Sequence, residues 1–533
     1  MPTGDAPPQE TEASMDRIHK KSALSPAASL IRAAYEEGES LLWGRYEAQL
    51  PLCAFTANGL NCRRCFQGPC RINPFGDDPH RGVCGADRDQ IVMENLFQAT
   101  LGGALETART LSPLDQSILS EELPDLIPDL PPVARQRLTG EGILPVRKDQ
   151  LVAVQNSFFS NKKYLNKTLK DLTRIGLIHY SMLKRLNSRR ASLAGNAHPF
   201  APEGANLLVV GQARLEDLVR LGDRIGEKSG GRKVNLWAQG ARGLRVFPPL
   251  ADQGSPEMAL LMNLDALLIL PDAGFPSLQE LAEKWEIPVV TEEEGRPFGE
   301  RVEEALRLAL DHQKKRVPLT PARIPQAAPG NLSFEDAEEV LSALKAGRLR
   351  GILTLWGEPN PRQTFFDRTL TLLETALAER LLVFVGGDLA AQGESLGEEL
   401  KRRAGSKTGD PPEDSPLEGV RFLESCAAIP RLVAFLRALF PEKEFHRMPV
   451  VVSFPEFFRA STWAAAVSFL SLGFAVQLGS QVPFWGSPSL SEVLLRDWPR
   501  ISGGTLLASP GLPDGQAQAR ELAAHIRARG FEG

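Results

Sequence analysis

Two patterns of apolar residues divide the chain. Before Ala205, apolar positions recur at helical spacing in three long segments, Ala27–Tyr46, Asp87–Thr110 and Phe158–Ser188, with a Pro-rich stretch, Leu111–Pro145, loosely joining the last two. From Asn206 onward, short apolar runs alternate with amphipathic stretches. Strands are expected at Asn206–Val210, Lys233–Trp237, Ala266–Leu270 and Pro288–Thr291, with helices such as Leu215–Glu227 and Pro276–Trp285 between them. A Pro/Ala-rich break at Val317–Gly330 reads as a domain boundary. The same rhythm then resumes, with strands near Gly351–Leu355, Leu381–Val385, Val420–Leu423, Val450–Phe454, Ala475–Gln477 and Gly504–Leu507, interrupted by the loop Gly405–Pro416. Such βαβ alternation implies parallel sheets with right-handed crossovers. The expected fold is α/β, with a helical domain at 1–204 and two Rossmann-like parallel-sheet domains at 205–330 and 331–533.

One segment complicates this picture. Ser461–Gly479 carries no charge and has about the length of a membrane span. Its serines, its Gly473 and its place between strand-like runs favour a buried helix running into a strand, so no membrane span is expected. The N-terminus has no apolar run behind a basic start, which points to the cytoplasm. At 533 residues the chain can bury a large core, and a net charge of −5 supplies no basic footprint for nucleic acid. Gly405-Ser406-Lys407-Thr408 resembles the end of a phosphate-binding loop, but the earlier glycine is missing and Pro-rich sequence follows. No GxGxxG follows a strand, which argues against a dinucleotide site.

The chemistry is concentrated in cysteine. Five of the six cysteines, Cys53, Cys62, Cys65, Cys70 and Cys84, fall within residues 53–84. In a reducing compartment such clustering reads as metal-binding or redox-active. Cys62-x2-Cys65-x4-Cys70-x13-Cys84 offers four thiolates, which suit either a 4Fe-4S cluster or a tetrahedral zinc ion. Zinc modules usually present two close cysteine pairs; three close cysteines and a distant fourth favour the larger cubane. Gly68, Gly76, Gly82 and Gly85 allow close backbone approach, and Arg63, Arg64 and Arg71 are placed to offset the charge of a ligated cluster. The seven histidines are scattered without ligand spacing.

At these residues a resemblance emerges. The run Trp43-Gly44-Arg45-Tyr46-Glu47-Ala48-Gln49-x-Pro51-x-Cys53, then Cys62-x2-Cys65-x2-Gly68-Pro69-Cys70-Arg71-Ile72-Asn73-Pro74-Phe75-Gly76, then Gly82-Val83-Cys84-Gly85-Ala86, closely resembles the N-terminal region of nickel–iron carbon monoxide dehydrogenases, of the hybrid-cluster (prismane) superfamily. More weakly, the resemblance runs to the C-terminus. It implies a helical domain before two Rossmann-like domains, a homodimer, and a 4Fe-4S relay cluster on Cys62, Cys65, Cys70 and Cys84. A second cluster of that family lies on the dimer axis and takes two cysteines per chain. Cys53 matches the first, whereas Asn61 stands where the second is expected, so an empty axis site is expected here.

The family's nickel–iron–sulfur active site takes one histidine and five cysteines, and here the resemblance mostly fails. Val209-Val210-Gly211-Gln212 lacks the histidine; Gln239-Gly240-Ala241-Arg242-Gly243 lacks a cysteine; Ala273, Glu358 and Asp388 stand at three further cysteine positions. Only Cys426 survives. Thr107 and Ser461 replace a histidine and a lysine that the family uses for proton handling. Soft nickel and bridging sulfide require the missing thiolates, so no nickel–iron–sulfur cluster is expected. Arg242 and Arg245 are expected to pair with Glu358 and Asp388 and fill the vacated pocket.

These features imply an electron-relay or non-catalytic relative with one 4Fe-4S cluster per chain. Its expected partners are a second copy or a catalytic relative, together with a ferredoxin-like electron donor or acceptor. The competing expectation is a redox enzyme, of the carbon monoxide dehydrogenase or hydroxylamine reductase type, with an altered centre around Gln212, Ala273, Glu358, Asp388 and Cys426. A third is a redox sensor whose empty pocket binds a ligand.

Overall fold

The computed structural model describes residues 21–24, 31–32, 34–73, 79–111, 127–147, 149–151, 165–188, 204–211, 215–239, 264–270, 276–291, 296–316, 337–408, 419–423, 428–479, 484–507 and 515–530. Beyond a short antiparallel hairpin, β1 (Asn61–Cys62) with β2 (Cys70–Arg71), the described strands form two parallel sheets. The first comprises β3 (Ala205–Val210), β4 (Val234–Gln239), β5 (Ala266–Ile269) and β6 (Val289–Val290), in the order β4-β3-β5-β6. The second comprises β7 (Gly351–Leu355), β8 (Leu381–Val385), β9 (Val420–Phe422), β10 (Val450–Phe454), β11 (Ala475–Leu478) and β12 (Thr505–Leu507), in the order β12-β11-β10-β7-β8-β9. Every strand expected from the apolar pattern is present, within two residues at either end.

Helices cover both faces of each sheet, so the strands read as continuous apolar runs rather than alternating ones. Along β10, Val450, Val452 and Phe454 face one apolar cluster while Val451 faces another. The larger cluster continues into α1 (Arg88–Leu111) and α2 (Leu165–Ser188), which pack on α3 (Ala460–Leu472) from the second sheet unit. Almost all of α3 is buried, which accounts for its uncharged sequence: its solvent is other helices. No described helix is long and apolar enough to cross a membrane.

Glycine makes the crossings close. A Cβ added at Gly103 of α1 would lie 2.1 Å from the carbonyl oxygen of Ala460, and one at Gly176 of α2 would lie 2.3 Å from Ser471 Oγ. The contact is sealed by polar groups. His179 of α2 stands fully buried between Thr107 Oγ1 (3.0 Å from Nε2) and Ser468 Oγ (2.8 Å from Nδ1), and Ser468 Oγ lies 2.9 Å from the carbonyls of both Gly176 and Ala464. With the serine hydroxyl donating to a carbonyl, Nδ1–H donates to Ser468 and Nε2 accepts from Thr107, the pattern of a neutral imidazole. Burial accordingly pushes the His179 pKa down to about 4.

Three expectations change in detail. The Pro-rich stretch Leu111–Pro145 contains a helix, Pro132–Gly140, which opens on proline at its first position, where the ring costs no hydrogen bond. The loop expected at Gly405–Pro416 begins later, because Gly393–Thr408 is one helix; residues 409–416 lie outside the described residues. The segment Ala27–Tyr46 is broken near Gly38, whose φ of +72° suits glycine, before a helix begins at Leu42. The linker Val317–Gly330 lies outside the described residues.

Candidate metal centre and the degenerate pocket

The cysteine loop is built on the short hairpin. Cys62 and Cys70 are direct cross-strand partners, which places their side chains together on one face. The chain between them carries Cys65, and Gly68 lets it fold back: an added Cβ there would meet Cys70 N at 3.0 Å and Cys62 O at 3.3 Å. Cys84 returns through a tight turn in which Gly82 N donates to Ala86 O (2.8 Å) and Gly85 N to Gly82 O (2.8 Å). Gly85 adopts φ +85°, a left-handed conformation that few other residues take. The Val83 amide donates to Cys70 Sγ at 3.4 Å, the kind of N–H···S contact that stabilises a thiolate ligand.

The four cysteines line a single cavity of about 470 Å³ together with Phe66, Ile91, Met93, Leu165 and others. Its floor is α1, whose first turn is fixed by a capping box: Gln90 N donates to Asp87 Oδ1 (2.9 Å) and Asp87 N to Gln90 Oε1 (3.1 Å). Asn95 then ties α1 to the hairpin by donating to Gly59 O (2.8 Å) and Asn61 O (2.9 Å). Asp-x-x-Gln ahead of an apolar run was readable in the sequence; the Asn95 clamp carries no local signal. Burial pushes the Cys62 thiol up, and the charges of Cys70, Cys84 and Glu94 add to the rise. Among the described residues no three His, Cys, Asp or Glu side chains converge closely enough to hold one metal ion. The thiols border a space rather than a point. Four soft donors around an apolar cavity fit a 4Fe-4S cubane, whose ligands stand farther apart than those of a single zinc ion.

Of the arginines expected to offset cluster charge, Arg64 is bound to Glu94 (Nε to Oε1, 2.6 Å) and Arg71 lies over the Phe55 ring at 5.3 Å, while Arg63 is exposed. Cys53 is exposed at the start of the short helix Ala54–Ala57, and hydrogen bonding from Thr56 holds its thiol below the usual range. Asn61 Nδ2 donates to the same Thr56 (3.4 Å), so the two positions matched to the dimer-axis ligands are neighbours through one hydroxyl.

The second candidate site is visible only in part. Gln212, Ala273 and Cys426 lie outside the described residues, as do Arg242 and Arg245; Asp388 is described only as part of the turn Gly387–Gln392. Glu358 follows β7, is 2% exposed, and has both oxygens engaged: Oε1 accepts from Arg459 N (2.7 Å) and Phe458 N (3.2 Å), and Oε2 from Thr462 Oγ1 (2.5 Å). The carboxylate thus rests at the positive end of α3. Between the ends of β7 and β8 lies the buried Trp356, so close to Gly386 that an added Cβ would fall 2.3 Å from the indole. Glu358→Ala should lower stability by about 1–3 kcal/mol, because two amides and a hydroxyl lose a buried acceptor; urea unfolding measures it, and an unchanged midpoint would return Glu358 to the role of a free ligand.

A residue not anticipated from the sequence is Glu456, after β10. It is 0% exposed and accepts from Phe366 N (3.3 Å) and Thr369 Oγ1 (3.4 Å); burial pushes its pKa up to about 8. Glu358 and Glu456 follow the two central strands at which the order of the sheet reverses, where α/β proteins place ligands. The only local hint was a carboxylate two residues beyond the strand-like run Val450–Phe454, after Pro455.

Comparison with known proteins agrees with this architecture. A family model described as the Prismane/CO dehydrogenase family matches residues 60–124, which include the four cysteines. Carbon monoxide dehydrogenase 2 of Carboxydothermus hydrogenoformans is 25% identical over 97% of this chain and 99% of its own. Carbon monoxide dehydrogenase 1 of the same organism is 47% identical over 85 residues, 16% of this chain and 13% of its own. Among solved structures, carbon monoxide dehydrogenase IV from C. hydrogenoformans superposes with a TM-score of 0.73 at 20% identity, covering 94% of this chain and 98% of that one. A family match over residues 60–124, which include the four cysteines, 25% identity over nearly the whole chain and a shared fold make this chain similar to the carbon monoxide dehydrogenases.

Proposed function

We propose that this chain is an electron-relaying or non-catalytic iron–sulfur relative of carbon monoxide dehydrogenase, holding one 4Fe-4S cluster on Cys62, Cys65, Cys70 and Cys84 and no nickel–iron–sulfur centre. The observation that carries the reading is that all four relay thiols border one cavity, while Glu358, at a position where the family has a cysteine, has its carboxylate committed to the end of α3. When bound, the cluster would take up and release single electrons. The residues of this chain supply the rest: the hairpin sets Cys62 against Cys70, the Gly82–Ala86 turn returns Cys84, and the Val83 amide donates to the Cys70 sulfur. The proposed assembly is a dimer, with itself or with a catalytic relative, exchanging electrons with a ferredoxin-like protein.

Metal analysis after anaerobic purification tests the reading. About four irons per chain and no nickel are expected for one cubane; iron well above that, or stoichiometric nickel, would sink it. CO- and hydroxylamine-dependent dye reduction are expected to be absent. Turnover abolished by Cys426→Ala would favour an altered active centre instead.

A further inference from the structure

We propose that the Arg64–Glu94 pair sets the reduction potential of the cluster, the Glu94 carboxylate holding it low and the Arg64 guanidinium opposing it. This rests on the proposed occupancy of the cysteine site.

Among the described residues that line the cavity, only these two carry a formal charge; the others are the cysteines themselves and apolar or neutral polar groups. The two are not equivalent. The Glu94 side chain is 9% exposed and that of Arg64 is 27% exposed, and they are joined at 2.6 Å. Gln98 Nε2 donates to the same carboxylate oxygen at 3.3 Å. Water therefore screens the guanidinium more than the carboxylate, and the buried negative charge dominates inside the cavity. Its position is fixed from both sides: the Asp87–Gln90 capping box sets the first turn of α1, and Asn95, the next residue, clamps that helix to Gly59 and Asn61 beside Cys62.

The step concerned is uptake of one electron by the oxidised cluster from an external reductant; no bond forms or breaks. The added electron increases the negative charge on a thiolate-ligated group, so a neighbouring carboxylate disfavours the reduced level and a neighbouring guanidinium favours it. A pair that merely braced the loop would give no such opposition of signs.

The test is an anaerobic redox titration of the full chain followed by electron paramagnetic resonance, with iron content measured on every sample. Glu94→Gln is expected to move the midpoint to more positive potential and Arg64→Gln to more negative, both at wild-type iron content; Glu94→Asp, which keeps the charge, should stay near wild type. Unchanged midpoints at full iron content, or shifts of the same sign in both variants, overturn the proposal. If Glu94→Gln fails to hold iron, Arg64→Gln decides, and a wild-type midpoint there overturns it. Wild-type protein without iron would instead overturn the proposed occupancy.

Discussion

Replacing Cys70 by alanine is expected to strip the chain of iron, from about four atoms to fewer than one, with loss of its visible charge-transfer absorption. Three features make Cys70 the most sensitive of the four proposed ligands. It faces Cys62 across the hairpin, its sulfur receives the Val83 amide, and Gly82 leaves space beside it, an added Cβ lying 3.5 Å from the sulfur. Its loss therefore removes a ligand and the partner of the turn that returns Cys84. Because a site of this kind is assembled by folding, its ligands also contribute to stability, and the variant should unfold at lower denaturant than the loaded wild type. Cys53→Ala is the control. That thiol is exposed and lies outside the cavity, so iron should be unchanged. Loss of iron from both variants would mean that Cys53 belongs to a metal centre of its own.

The second large effect concerns Glu456. In the folded chain its carboxyl keeps a proton up to about pH 8, whereas the unfolded chain releases it above the ordinary value of 4.5. A raised carboxyl pKa means that the folded state binds more protons across this window, so stability falls as pH rises from 4.5 through 8. The slope is about 1.4 kcal/mol per pH unit. His179 acts oppositely. Its pKa is lowered from 6.5 to about 4, so its contribution is complete above pH 6.5 and is lost as pH falls toward 4. Between pH 4.5 and 6.5 the two slopes nearly cancel, and wild-type stability should be almost flat in that range as far as these groups decide it. Glu456→Gln removes one of them. The stability difference between variant and wild type should grow in the variant's favour by about 1.4 kcal/mol per unit from pH 4.5 to 8 and then level off. Urea unfolding of both proteins at several pH values measures the difference, and a constant difference would mean that Glu456 is already ionised in the fold.

The strands and the cysteine site were legible because each has a local signature. β7 and β10 are mostly apolar runs, each broken by one hydroxyl residue (Thr354, Ser453), and the four cysteines combine three close thiols with a distant fourth. What escaped was long-range. Glu456 is defined by Phe366 and Thr369, some ninety residues away in sequence, and His179 by Thr107 and Ser468 on two other helices. Glu358 was singled out as a position but given a different role: its charge meets the end of α3, brought to it by the adjacency of β7 and β10 in the sheet. Sequence order could not supply that adjacency, because the strand order reverses there.

The crossings at Gly103 and Gly176 bear on whether the cysteine loop can be excised. Through them α1, which carries the loop, and α2 are built around a helix contributed from far along the chain. A fragment ending near Gly204 would lack α3 and would present to water the faces of Leu96, Phe97, Leu172 and Ile175, all buried in the whole chain. The cysteine loop is thus no detachable module: the helix behind it is fully packed only against α3, a segment that begins as far along the chain as Ala460.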